Sequence, residues 1–115
     1  KYNVDMFLGI GGGPEGVLAA CALDSYDCHF QGRFIFNNEK DIIEAKSMGI
    51  TELNKKYELN EIVKGDSLFC ATGITNSEVL SGITINKNEF VSETLITHKD
   101  SNFKEIVKSV NSINE

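Results

Sequence analysis

The chain has 115 residues, 41% hydrophobic and 24% charged, with 10 glycines and one proline; this is enough for one globular core and gives no compositional basis for a disordered or repeat protein. A net charge of −6 and an isoelectric point near 4.9 argue against a broad electrostatic footprint for nucleic acid or for an anionic membrane surface. They leave room for a local cationic or metal-filled site that takes a phosphorylated ligand. Three cysteines, Cys21, Cys28 and Cys70, cannot all pair, and each lies in or beside an apolar run, which points to reduced thiols and a cytoplasmic setting. No run approaches the length of a membrane span, and no basic stretch leads into an apolar one as in a secretory leader. Lys1 rather than a methionine opens the chain and a strand-like segment follows at once, so we expect a single domain over residues 1–115 that is part of a longer polypeptide.

In chain order, VDMFLGI (residues 4–10) is a mostly apolar run ending in glycines, the pattern of a buried strand. From Pro14 to about Tyr26 a proline in the first turn, an acidic residue after it, and Val17, Leu18, Cys21 and Ala22 at helical spacing predict a helix. HFQGRFIF (29–36) reads as a second strand, with Gly32 at a bulge. NNEKDIIEAKSMGI (37–50) opens on candidate caps and stops at Gly49, predicting a second helix. ELNEIVKGD (58–66) adds a short helical turn before Gly65, SLFCATGI (67–74) is a third apolar run closing on a Thr-Gly turn, and NSEVLSG (76–82) reads as a helical turn capped by Asn76 or Ser77. ITINKNEFVSETLITHK (83–99) alternates about a turn at Asn86 to Asn88, as an antiparallel hairpin does. FKEIVKSV (103–110) suits strand and helix alike. The expected fold is therefore α/β: a three-layer α/β/α unit with a mixed sheet, parallel early and antiparallel late.

The motif that demands a reason is GIGGGPEGVLAA (9–20), which crowds Gly9, Gly11, Gly12 and Gly13 before Pro14 and Glu15. A glycine turn between strand and helix exposes backbone N–H groups at the positive end of the helix dipole and can hold an anion, phosphate above all. It is no Walker loop, and proline stands where a dinucleotide fingerprint would place its last glycine. A tight turn with close packing explains the spacing as well. Glu15 has two readings. Any first-turn carboxylate is favoured by the dipole; beside a phosphate cradle, however, it needs a cation between itself and the ligand, and a divalent metal supplies one. CATGIT (70–75) reads either as a plain β-turn or as a second small-residue turn at a ligand, and Cys70 as a core thiol. His29 and His98 show no metal-ligand spacing, Arg33 suits a carboxylate partner or a phosphate, and the charges between Glu39 and Lys64 read as a solvated face.

GIGGGPEGVLAACAL, followed in order by QGRF, EAKSMGI, VKGDSLFCATGIT and ETLITHK, resembles the C-terminal part of the class II, bacterial-type fructose-1,6-bisphosphatases over nearly the whole chain. The resemblance implies a metal-dependent sugar phosphatase of the lithium-sensitive phosphatase superfamily, using Mg²⁺ or Mn²⁺ to hydrolyse the 1-phosphate of fructose 1,6-bisphosphate in gluconeogenesis. It assigns Glu15 as the one metal-binding glutamate of this half and Gly12 as a backbone contact to substrate. The other metal carboxylates, the threonine that orients water and the Lys/Arg clamp belong to the family's N-terminal and middle regions, so this chain is expected to fold but to be catalytically silent alone. Gly13 stands where relatives often carry Ala or Thr, and HKDSNFKEI lacks the Ser-Gly-Thr run expected after the last long strand. Sedoheptulose 1,7-bisphosphate is a second candidate substrate, a stand-alone phosphate-binding domain is the alternative to an enzyme part, and the late hairpin offers an edge for a homo-oligomer.

Overall fold

The computed structural model describes residues 4–113. Three helices and six strands follow one another as α1 (Gly13–Asp24), β1 (Gln31–Gly32), α2 (Glu39–Ser47), β2 (Tyr57–Glu58), α3 (Leu59–Ile62), β3 (Leu68–Thr72), β4 (Thr84–Asn86), β5 (Glu89–His98) and β6 (Phe103–Ser112). The helix predicted from Pro14 begins one residue earlier, with Gly12 as its N-cap and proline in its first turn. At α2 the cap is Asn38, whose side chain accepts from the Asp41 amide at 3.0 Å. Its end is set by Gly49 at φ 88°, a left-handed conformation that a side chain would oppose. The short turn read in ELNEIVKGD is α3, opened by a capping box in which the Glu58 amide donates to Glu61 Oε2 at 3.0 Å.

β5 organises the larger sheet. All ten of its residues pair antiparallel with β6, from Glu89↔Ser112 to His98↔Phe103. On its other edge it pairs with β4 through Glu89 to Val91 and with β3 through Thr94 to His98. The hairpin expected about Asn86 to Asn88 is present, with Lys87 at φ 51° at its turn. The ambiguous FKEIVKSV is a strand: a full-length ladder to β5 satisfies its backbone, a long-range gain that local periodicity does not register.

Several expectations are corrected. Every strand pair among the described residues is antiparallel, and the strands fall into separate two- and four-stranded sheets, so the single mixed sheet of the three-layer expectation, parallel early, is not formed. VDMFLGI is no strand, because no described segment lies alongside to take its hydrogen bonds. HFQGRFIF contributes only the two residues of β1, and Gly32 sits in regular register opposite Tyr57 rather than at a bulge. That ladder is bounded on one side by Leu59, where α3 starts, and on the other by the turn at Leu53 and Asn54. Residues 76–82 form no helix, only a bend at 78–80, although the Ser77 hydroxyl does accept from the amides of Val79 and Leu80.

α1 lies against β3 and α3 and buries Ala20 completely. Its C-terminal turn carries no basic residue and ends on the buried Asp24, an unfavourable sign for the helix dipole. Lys99, from the turn between β5 and β6, supplies the missing cation at 2.5 Å. The Asp24 carboxylate holds the Lys99 amine above its ordinary value. Opposite, the loop from Gly73 to Ile83 folds onto β5: the Ser81 amide donates to Glu93 Oε2 at 2.8 Å, and the Gly82 amide to Asn76 Oδ1 at 2.9 Å.

Two predictions concern this loop. A Cβ at Gly82 would stand 2.7 Å from the Thr75 carbonyl carbon and 2.8 Å from the Asn76 nitrogen, both backbone. Gly82→Ala should therefore lower the unfolding free energy by about 1–3 kcal/mol in chemical denaturation. The Ser81 amide, then the Ser81 hydroxyl, holds the Glu93 carboxyl below its ordinary 4.5, with a smaller pull from Lys108 across the ladder. Because the folded value is depressed, the stabilisation is present above pH 4.5 and is lost as pH falls through the folded value. Glu93→Gln should flatten the pH dependence of unfolding below 4.5 and leave its slope unchanged on the alkaline side.

Candidate functional site

The glycine segment leads into α1 without a tight turn of its own: among the described residues the positive-φ glycines are Gly49 and Gly65. Gly12 is extended at φ −69° and ψ 157°, and α1 begins immediately after it. The first helical hydrogen bond runs from the Gly16 amide to the Gly12 carbonyl at 3.0 Å. The amides of Gly13 and Glu15 precede that bond, and Pro14 has none to offer, so the start of the helix presents donors at its positive end.

The structure brings the two candidate residues, Gly12 and Glu15, together. Glu15 folds back along its own helix until its carboxylate lies over Gly12: a Cβ built on Gly12 would come within 2.1 Å of Glu15 Oε2 and 3.1 Å of its Cδ. The bare glycine is thus the space that the carboxylate occupies. Both residues are exposed, so the carboxylate and the helix start face the same open side. Among the described residues no group of three or more His, Cys, Asp or Glu side chains could hold a metal ion. A single carboxylate fits one coordination position of a hard divalent cation and no more, because such an ion takes six or so oxygens.

The other singled-out residues lie apart from this site. Cys70 is exposed on β3 rather than a core thiol, because β3 alternates half-buried and exposed positions and Cys70 falls on the outer set; all three thiols are free. His98 bridges Asp66 through Nε2 at 2.6 Å and meets the Ser101 hydroxyl through Nδ1 at 2.7 Å, which ties the β5–β6 turn to the start of β3. Arg33 stands beside an aromatic cluster in which Phe34 stacks on Phe36 and meets Tyr57 edge-on, with ring centroids 6.1 and 5.7 Å apart. Missing from the sequence reading was the Asp24–Lys99 contact that seats the helix carrying Glu15. Its partners are 75 positions apart, and no local pattern announces them.

Comparison with known proteins gives the class. The family described as bacterial fructose-1,6-bisphosphatase, glpX-encoded, matches residues 1–113, and the chain belongs to that family. Among its relatives, the fructose-1,6-bisphosphatase class 2 of Haemophilus influenzae is 34% identical, covering 98% of this chain and 38% of its own length. The D-fructose 1,6-bisphosphatase class 2/sedoheptulose 1,7-bisphosphatase of Thermosynechococcus vestitus is 30% identical, and that of Synechococcus elongatus 31%, each over 94% of this chain and 35% of the relative. The chain thus spans little more than a third of the relatives it matches.

One substitution tests the glycine's part. Gly12→Ala should cost about 1 kcal/mol or less as an N-cap change, because the clashing atoms belong to a flexible side chain. It should nevertheless displace the Glu15 carboxylate, read as loss of the nuclear Overhauser contacts between the Glu15 side chain and the Gly12 α-protons.

Proposed function

We propose that this chain forms one wall of the active cleft of a metal-dependent fructose-1,6-bisphosphate 1-phosphatase, with the other wall supplied by the longer polypeptide. The observation that carries the reading is the exposed Glu15 carboxylate set over Gly12 at the donor-rich start of α1, in a chain of this family. Mg²⁺ or Mn²⁺ bound there would lower the pKa of a coordinated water and neutralise charge on the phosphate and the leaving oxygen. Glu15 would provide one oxygen ligand. The Gly12 backbone would contact the substrate, and the free amides at the helix start would favour the phosphate's negative charge. With one carboxylate and no neighbouring ligand cluster among the described residues, the isolated chain lacks the ligands for a tight metal site. It is expected to be inactive by itself.

The substrate class is a ketose bisphosphate. Fructose 1,6-bisphosphate leads, and sedoheptulose 1,7-bisphosphate belongs in the same assay because the cyanobacterial relatives carry both names. No helix among the described residues is long and apolar enough to cross a membrane.

The test is phosphate release from fructose 1,6-bisphosphate by the full-length polypeptide, with and without Mg²⁺ or Mn²⁺. Activity should require the metal and fall by orders of magnitude in Glu15→Gln, while the 115-residue chain alone releases nothing. Unchanged activity in Glu15→Gln, or none in the parent, returns Glu15 to the role of a first-turn acid suited to the dipole and leaves a phosphate-binding domain as the better reading.

A further inference from the structure

The densest run of exposed apolar side chains lies where the sequence leads into the site. Val4, Met6, Phe7, Leu8 and Ile10 are 63%, 74%, 85%, 82% and 87% exposed, and Val17 and Leu18 continue the apolar surface on α1. In extended backbone Val4, Met6, Leu8 and Ile10 share one face, wholly apolar, while Asp5, Phe7 and Gly9 share the other, where Phe7 is the one large apolar side chain. Five large apolar side chains within seven residues are not the scattered exposure that a monomer's surface tolerates. No described segment pairs with this backbone. In the relatives this region is only 35–38% of the chain, so nearly two thirds of their length lies elsewhere.

We propose that residues 4–10 form an interior β-strand whose partner strands and covering face come from the part of the full-length polypeptide outside this chain. The inference rests on the two-walled cleft proposed above and identifies where the walls join. The geometry adds a consequence for the site. The segment runs directly into Gly11, Gly12 and Gly13, so pairing it into a sheet fixes the origin of α1 and, with it, the place of Glu15. Lys99 holds the far end of the same helix, so α1 would be seated at both ends only when the two parts are together.

Hydrogen exchange measured by mass spectrometry on the full-length polypeptide and on the 115-residue chain, each at two concentrations, tests the join. Amides of residues 4–10 should exchange at least about 1,000-fold more slowly in the full-length protein than in the isolated chain, at both concentrations. Equal rates in the two proteins overturn the proposal. So does protection already present in the isolated chain, which would seat the segment on its own β3 edge. Protection that grows with concentration would make a second copy the occupant, and a native polypeptide no longer than this chain would remove the partner altogether; either overturns it. Leu8→Lys should leave the melting temperature of the isolated chain unchanged, since Leu8 is exposed there, and lower that of the full-length protein. An unchanged full-length melting temperature counts against the join. Assaying phosphatase activity on the same full-length sample separates the two readings: a protected segment without activity sinks the functional proposal and leaves this one standing.

Discussion

The fold hangs on the strand from Glu89 to His98. It is the one strand to which the other three of its sheet are all bonded, β6 along one edge and β3 with β4 along the other. Because side chains alternate, a slip of one residue in this strand would turn every inward position outward, including Thr97, which is fully buried. The register also places Lys99, just past the strand, where it reaches Asp24. Sheet register and helix position are therefore one constraint, and Glu15 at the start of α1 stands where that constraint puts it.

That constraint does not make a large core. Ala20, Ala45 and Leu80 are the buried hydrophobic residues among those described, against many large apolar side chains left open. Burial of apolar area is the dominant favourable term in folding, so a chain that leaves so much of it in water relies more heavily on its ladders and side-chain ties. Local hydrogen bonds fill part of the gap: the Glu58 and Glu61 capping box, Ser77 over the amides of Val79 and Leu80, and Glu93 on Ser81. Each closes a short loop and sets the direction of the element that follows.

At the site, glycine and glutamate act as a pair. A carboxylate near a helix start is ordinary, but a carboxylate folded over the cap residue requires that the cap have no side chain. This decides between the two readings that the sequence left open for GGGPEG, a tight turn and a place of close approach. The backbone at Gly12 is extended rather than tightly turned, and the group that approaches it is the protein's own Glu15. Chemistry that uses this carboxylate would need further ligands, because no group of three or more metal-ligating side chains is present among the described residues.

Residues that act on near neighbours were legible in the sequence. Pro14 with Glu15 marked the start of α1, Asn38 and Gly49 bounded α2, and the alternation on either side of Asn86 to Asn88 gave the β4–β5 hairpin, because caps, turns and alternation are local physics. Glu15 could be singled out locally as a first-turn acid, whereas Gly12 was assigned a role only through the family resemblance. Whatever depends on distant partners was not legible. VDMFLGI has the composition of a strand without a partner to pair with, HFQGRFIF keeps only two ladder residues because its partner turns into α3, and FKEIVKSV becomes a strand because β5 lies alongside it for ten residues. A β-strand is completed by hydrogen bonds to another segment, so its composition is written locally but its existence is decided only when the chain is folded.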